Sequence, residues 1–268
     1  MSTQLNPRAQ QYAEQATALG LASAIEPALE KKYGGHAGQR FEVYHASSDK
    51  RPLPVVIFVH GGAWMNGGLE WLRFMAPNVV ALPAVFVAVT HRQAPEHRWP
   101  AQYEDIRDAV NVIVSECADW GGDPARVVLA GHSSGGHLAA MVTLLRETPP
   151  VAGCMTISSA LDLRFGDVAE DSPEARVYKY LLNRRDEDAD ASPVCFVEGN
   201  QVPFHLTWGE QDYARIFFGA MPMVAALKSA GSPVDYSVIS DADHFDTHLA
   251  LADAGCDWYR QLRKLISA

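Results

Sequence analysis

Ser133 stands in Gly131-His132-Ser133-Ser134-Gly135, preceded by Val127-Val128-Leu129-Ala130 and followed by Gly136-His137-Leu138-Ala139-Ala140. Four apolar residues, a Gly-x-Ser-x-Gly pentapeptide and an Ala/Leu-rich run predict strand, sharp turn and helix in that order, with Ser133 presented at the turn. Gly131 and Gly135 suit this turn because strand and helix must approach closely around a strained serine backbone. Outside that context the pentapeptide would be only a serine in a glycine-rich loop. A serine hydroxyl is a weak nucleophile. Acyl transfer by Ser133 therefore needs a base within hydrogen-bond reach and a carboxylate to orient that base.

A nucleophile of this kind is followed in the chain by its acid and then its histidine. Asp212, in Gly209-Glu210-Gln211-Asp212, follows a strand ending at Trp208, and His244, in Asp241-Ala242-Asp243-His244-Phe245, follows the last strand. Both positions lie past the C-terminal ends of strands, where open α/β sheets bind ligands. Among rival bases, His248 lies further from the strand end, and His60, His91, His97, His132 and His137 precede the acid. Asp162 is the rival acid, whereas Asp241 and Asp243 are too close to His244 in sequence to orient it easily.

A second glycine turn, His60-Gly61-Gly62-Ala63-Trp64, lies about seventy residues upstream of Ser133. It is either a plain strand-to-helix turn or one whose freed backbone N–H groups hold the oxyanion of a tetrahedral intermediate; losing one such donor costs ~3 kcal/mol. His60 is expected to brace this loop rather than to titrate. Trp64, Trp71, Phe74 and Trp99 read as core aromatics, with Trp64 also placed to wall a substrate.

The elements that must position these residues follow from apolar periodicity. Continuous Val/Ile/Phe runs predict buried strands over 53–60, 84–90, 126–130, 151–158, 203–208 and 234–240, with an outer strand over 40–45 and a turn over 47–52. Helices are expected over 70–82, 101–118, after Ser133, over 214–230 and over 245–266, with a turn at Asp123-Pro124. Residues 7–32 read as helix broken near Gly20 and Pro27. Strands alternating with helices give an α/β class with a mostly parallel sheet covered on both faces. Residues 160–201 lack this regularity beyond a short helix around 173–182 and read as a small cap insertion, the alternative being a solvated acidic loop at 184–190.

The 268 residues, 48% hydrophobic, suffice for one domain over residues 1–268. A net charge of -10 argues against nucleic acid and anionic membranes as partners. Neither an apolar signal core nor a membrane-length apolar run stands out, so a cytoplasmic location is expected. Cys117, Cys154, Cys195 and Cys256 have no metal-ligand spacing and are expected to be free, buried thiols. Neither metal nor cofactor is expected. The assembly state is open, a homodimer included.

The chain resembles the α/β-hydrolases of the esterase and lipase kind related to hormone-sensitive lipase, and within them the kynurenine formamidase (arylformamidase) branch. His60-Gly61-Gly62-Ala63-Trp64, Ala94-Pro95-Glu96-His97, Gly131 to Gly136, and Asp212 with His244 carry the resemblance, which spans about residue 33 to the C-terminus. It implies the α/β-hydrolase fold, Ser133 as nucleophile with Asp212 and His244 as partners, and an oxyanion hole from the N–H groups of Gly62, Ala63 and Ser134. It also implies that the N-terminal helices help to cover the pocket. Ala63 stands where the lipase motif has a third glycine, which pulls toward formamidase. His91 replaces the tyrosine usual before Arg92, a departure that the sequence leaves uninterpreted.

The expected activity is therefore cofactor-free hydrolysis of a small carboxylic ester or aryl formamide, N-formylkynurenine among them. Trp64, Trp71, Phe165, Tyr178 and Phe245 are candidate walls, and no extended apolar lid for a long acyl chain is apparent. The alternative, a non-catalytic hydrolase-fold receptor or binding module, would be expected to lack one of Ser133, Asp212 and His244.

Overall fold

The computed structural model describes residues 5–23, 25–45 and 52–267, so the turn expected over 47–52 lies outside the described residues except for Pro52. Eight strands, β1 (Leu29–Lys32), β2 (Arg40–Tyr44), β3 (Leu53–Val59), β4 (Val85–Val89), β5 (Gly122–His132), β6 (Gly153–Ile157), β7 (Phe204–Gly209) and β8 (Val234–Ile239), form one sheet in the order β1-β2-β4-β3-β5-β6-β7-β8. β2 runs antiparallel to β1 and β4, and every other pairing is parallel. The helices are α1 (Pro7–Ala22), α2 (Ala76–Val80), α3 (Ala101–Glu116), α4 (Ser134–Leu145), α5 (Pro173–Arg176), α6 (Ala214–Ser229), α7 (Asp246–Leu249) and α8 (Asp257–Ile266).

Every residue of β3 is buried, which accounts for its unbroken Leu-Pro-Val-Val-Ile-Phe-Val sequence. The pleat sends Val55, Ile57 and Val59 into a core shared with α3, α4 and α6, and Val56 and Phe58 into one shared with α1, α2 and α8. The chain leaves β3 toward β4 on one side, and β5 pairs on the other. The C-terminal ends of β3 and β5 therefore flank a switch point, where ligands bind in open α/β sheets.

Six expectations need correction. Residues 29–32 are not helix but the edge strand β1, paired in register from Leu29 with Val43 to Lys32 with Arg40. Its charges suit an exposed sheet edge. Gly20 does not break α1; a Cβ there would lie 3.1 Å from the Glu70 carbonyl oxygen, so the glycine permits close packing on the turns that follow. The helix expected over 70–82 is two 3₁₀ turns, Leu69–Trp71 and Arg73–Met75, and then α2, because Pro77 is tolerated only in a helix's first turn. The last helix is two, α7 and α8: Asp253 leaves helical geometry, and its side chain accepts the Gly255 N–H at 2.8 Å. Asp123 and Pro124 belong to β5, where the pairing with β3 shifts register. All four cysteines are free, but Cys195 is exposed and Cys256 half-buried, against the expectation of four buried thiols.

Glu42 in β2 is fully buried, accepting from Arg73 Nε at 3.1 Å and Nη2 at 2.5 Å and from the Tyr44 hydroxyl at 2.5 Å. A buried carboxylate stripped of its cation is an uncompensated charge. Arg73→Met is thus expected to cost about 3 kcal/mol in urea unfolding, and Glu42→Leu combined with it to recover most of that loss.

Candidate active site

β5 delivers Ser133 at φ 53°, ψ −120°, a positive-φ conformation, immediately before α4. Two glycines make this geometry possible. A Cβ on Gly135 would lie 2.1 Å from the Val59 carbonyl oxygen, and one on Gly131 would lie 2.4 Å from the Gly135 carbonyl carbon. The turn is also pinned by Ser133 N–H donating to the Ile157 carbonyl at 2.7 Å.

His244 follows β8 and Asp212 follows β7. His244 Nδ1 is 2.8 Å from Asp212 Oδ1, and His244 Nε2 is 2.9 Å from Ser133 Oγ. A carboxylate only accepts, so Nδ1 carries the proton and Nε2 is left to accept from the Ser133 hydroxyl. Burial raises the Asp212 pKa, but hydrogen bonds from His244, Ser158 and the Tyr213 N–H outweigh it and hold the carboxyl below its ordinary value. Of the rival residues, Asp162 is taken by Arg164 at 2.8 Å, and His248 is fully buried with Nδ1 hydrogen-bonded to the Tyr12 hydroxyl at 2.8 Å.

The Gly62–Trp64 turn has positive φ at Gly62, Ala63 and Trp64, a strained path, and all three residues line the cavity. The N–H groups of Gly62, Ala63 and Ser134 donate to no described acceptor. His60 braces the turn as expected: Nδ1–H donates to the Gly61 carbonyl at 2.7 Å, and Nε2 accepts from the Thr90 hydroxyl at 2.9 Å. Desolvation drives the His60 pKa down to about 3, so this ring is neutral. His91, uninterpreted in the sequence, stacks on His60 with ring centroids 4.8 Å apart and donates from Nδ1 to the Arg92 carbonyl.

Ser133 and His244 open onto a cavity of ≈ 210 Å³. Trp64, Trp71, Phe165 and Phe245 line it, whereas Tyr178, Phe74 and Trp99 do not. Leu5, Asn6, Ala9 and Tyr12 of the N-terminal segment also line it. Sequence reasoning did not single out Asn6, Tyr12, Tyr213, Arg176 or Arg215. Tyr12 carried a signal, an apolar position on a helix, but one that points to core as readily as to a cavity.

A family model for the alpha/beta hydrolase fold matches residues 56–246, more than half of the chain. The chain belongs to that family. It is 28% identical to Esterase LipC of Mycobacterium tuberculosis over 79% of this chain and 58% of that protein. It is 27% identical to Kynurenine formamidase of Danio rerio, over 91% of this chain and 83% of the relative. A solved esterase of Pyrobaculum calidifontis superposes with a TM-score of 0.80 at 21% identity, covering 99% of this chain and 94% of that one, a likeness of fold. The chain spans 58% of the length of Esterase LipC and 50% of that of Esterase LipQ, both of Mycobacterium tuberculosis.

In this α/β hydrolase the loop carrying His244 is fastened to the N-terminal helix. Arg8 Nε lies 2.7 Å from Asp243 Oδ2, and Arg8 Nη2 lies 2.6 Å from Asp246 Oδ1. The Arg8 guanidinium also sits 5.2 Å from the Phe245 ring centroid. Burial raises the Asp243 carboxyl, but Arg8 and the N–H groups of Asp246 and Phe245 prevail and bring its pKa down to about 2. A folded-state pKa below the ordinary 3.8 means that the ionised carboxylate stabilises the fold above that range, and that the contribution vanishes as pH falls through about 2. Both side chains are about one-third exposed, so screening limits the pair to about 1 kcal/mol. Arg8→Ala is expected to be less stable than the parent by that amount at pH 6, with the gap closing toward pH 2 in urea titrations.

Proposed function

We propose that this α/β hydrolase cleaves small carboxylic esters or aryl formamides, N-formylkynurenine among the latter, through an acyl-enzyme intermediate. The observation that carries this reading is the hydrogen-bonded chain Asp212–His244–Ser133 opening onto the cavity. His244 Nε2 takes the Ser133 proton as Oγ attacks the substrate carbonyl, and returns it to the departing alcohol or amine. Asp212 holds the imidazole in the required tautomer and balances its transient positive charge. The N–H groups of Gly62, Ala63 and Ser134 hold the oxyanion, and water, activated by His244 in turn, hydrolyses the acyl-enzyme.

A cavity of ≈ 210 Å³, small beside the roughly 300–1,000 Å³ of ordinary ligand pockets, supports a short acyl group. Aromatic walls from Trp64, Trp71, Phe165 and Phe245 suit an aryl leaving group. Similarity to a kynurenine formamidase over 91% of the chain supports the formamide option. Residues 160–201 act as the cap in this reading, since Ala160, Phe165, Pro173, Val177 and Leu181 reach the cavity. The single-domain reading goes with it. A cytoplasmic location is part of the same proposal.

Ser133→Ala is expected to lower kcat on p-nitrophenyl acetate on the order of 10⁶-fold, and Asp212→Asn about 10⁴-fold, with circular dichroism unchanged. Near-parental turnover by Ser133→Ala would remove the serine mechanism. Across acyl lengths kcat/KM should fall stepwise from formyl and acetyl to octanoyl, about 1–3 kcal/mol per unaccommodated methylene. Comparing N-formylkynurenine, phenyl acetate and phenyl octanoate tests this. A preference for octanoate overturns the short-acyl reading, and failure on N-formylkynurenine removes the formamide option alone.

A further inference from the structure

The chain carries 32 acidic and 22 basic side chains, yet the cavity beside Ser133 is lined by Arg176 and Arg215 and by no Asp or Glu among the described residues. Arg176 ends α5 and Arg215 lies in the first turn of α6, so two separate elements bring a guanidinium group to one cavity. This reverses the sign of the chain as a whole.

The two arginines differ in how they are held. Arg215 Nη1 lies 3.3 Å from Glu174 Oε1, and its guanidinium carbon stands 4.3 Å from the Tyr213 ring centroid. Its charge is thus partly compensated and its position fixed. Arg176 is half-buried and makes no ion pair with any described residue. Glu174 and Asp212, each next in the chain to a lining residue, are committed elsewhere: Glu174 to Arg215, and Asp212, 1% exposed, to His244. A half-buried cation beside Trp64, Trp71 and Phe165 experiences weaker screening than one in open water, which strengthens its attraction for an anion. A planar guanidinium matches a carboxylate with two parallel N–H···O bonds.

We infer that Arg176, backed by Arg215, binds a carboxylate carried by the substrate, so that the ester or formamide hydrolysed at Ser133 bears a carboxylate group as well as its scissile bond. The inference rests on the hydrolase reading above and narrows its substrate class. One uncompensated guanidinium matches one negative charge, which favours a carboxylate over a phosphate dianion. The cavity volume limits the remainder of the molecule to a compact aryl or short aliphatic group.

Two matched substrate pairs test it, with every rate normalised to hydroxide-catalysed hydrolysis of the same ester. Phenyl acetate against 4-acetoxybenzoate places the charge on the leaving group, and phenyl butanoate against the phenyl succinate monoanion places it on the acyl group. The parent protein is expected to favour the anionic member of at least one pair about tenfold, a preference that weakens with added salt. Arg176→Gln should erase that preference chiefly through KM, and Arg176→Lys should restore part of it. In calorimetry, benzoate should bind Ser133→Ala and bind about tenfold more weakly once Arg176→Gln is added. Turnover of neutral esters with no preference in either pair overturns the anion site and leaves the hydrolase standing. Equal losses for neutral and anionic members in Arg176→Gln also overturn it. If no ester is turned over, the hydrolase reading fails, and benzoate binding that depends on Arg176, or its absence, still decides the anion site.

Discussion

Ser133 occupies a backbone conformation that costs an L-residue roughly 1–3 kcal/mol, and the rest of the molecule is arranged so that this conformation persists. β5 lies at the middle of a parallel sheet, with β3 and β6 hydrogen-bonded on either side, so its last residues cannot relax sideways. α4 is buried along nearly its whole length and starts directly after the serine. Glycines 131 and 135 let the helix settle against the ends of β5 and β3 at distances no Cβ permits. The strain is therefore distributed into a core that would have to open to release it.

Histidine chemistry in this protein depends on environment rather than on residue type. His60, His132, His137 and His248 are all deeply buried, and desolvation pushes each below the ordinary value, with His60 and His132 at about 3 and His137 at about 4. They serve as neutral rings that make directional hydrogen bonds. His132 donates from Nε2 to the carbonyl oxygen of His244, and His137 donates to the Ala191 carbonyl while accepting from Trp64 Nε1. His244 differs in having a buried carboxylate behind it and a hydroxyl before it.

Much of this was legible in the sequence, because each legible part had a local cause. The elbow was readable from Gly131 and Gly135, the parallel strands from unbroken apolar runs, and Asp212 and His244 from their places after strand ends. What escaped depended on partners distant in the chain. Leu29 to Lys32 have charges that fit an exposed helix as well as an edge strand, and only pairing with β2 decides between them. Gly20 looked like a helix breaker because its reason, the approach of Glu70 and Arg73, lies fifty residues away. Arg8, Arg176 and Arg215 gave no local signal either; they acquire significance only when the fold brings them to the loop after β8 or to the cavity.

The bonds from Arg8 to Asp243 and from Tyr12 to His248 span 235 and 236 residues of chain. During synthesis α1 emerges 235 residues before the partner of its Arg8. The sheet's earlier strands have time to pair in that interval, since translation proceeds at about 5–20 residues per second. The apolar face of α1 meanwhile lacks the loop that completes its burial. The His244 loop is thus fastened late, and a nascent chain presents Ser133 before it presents the histidine that faces it.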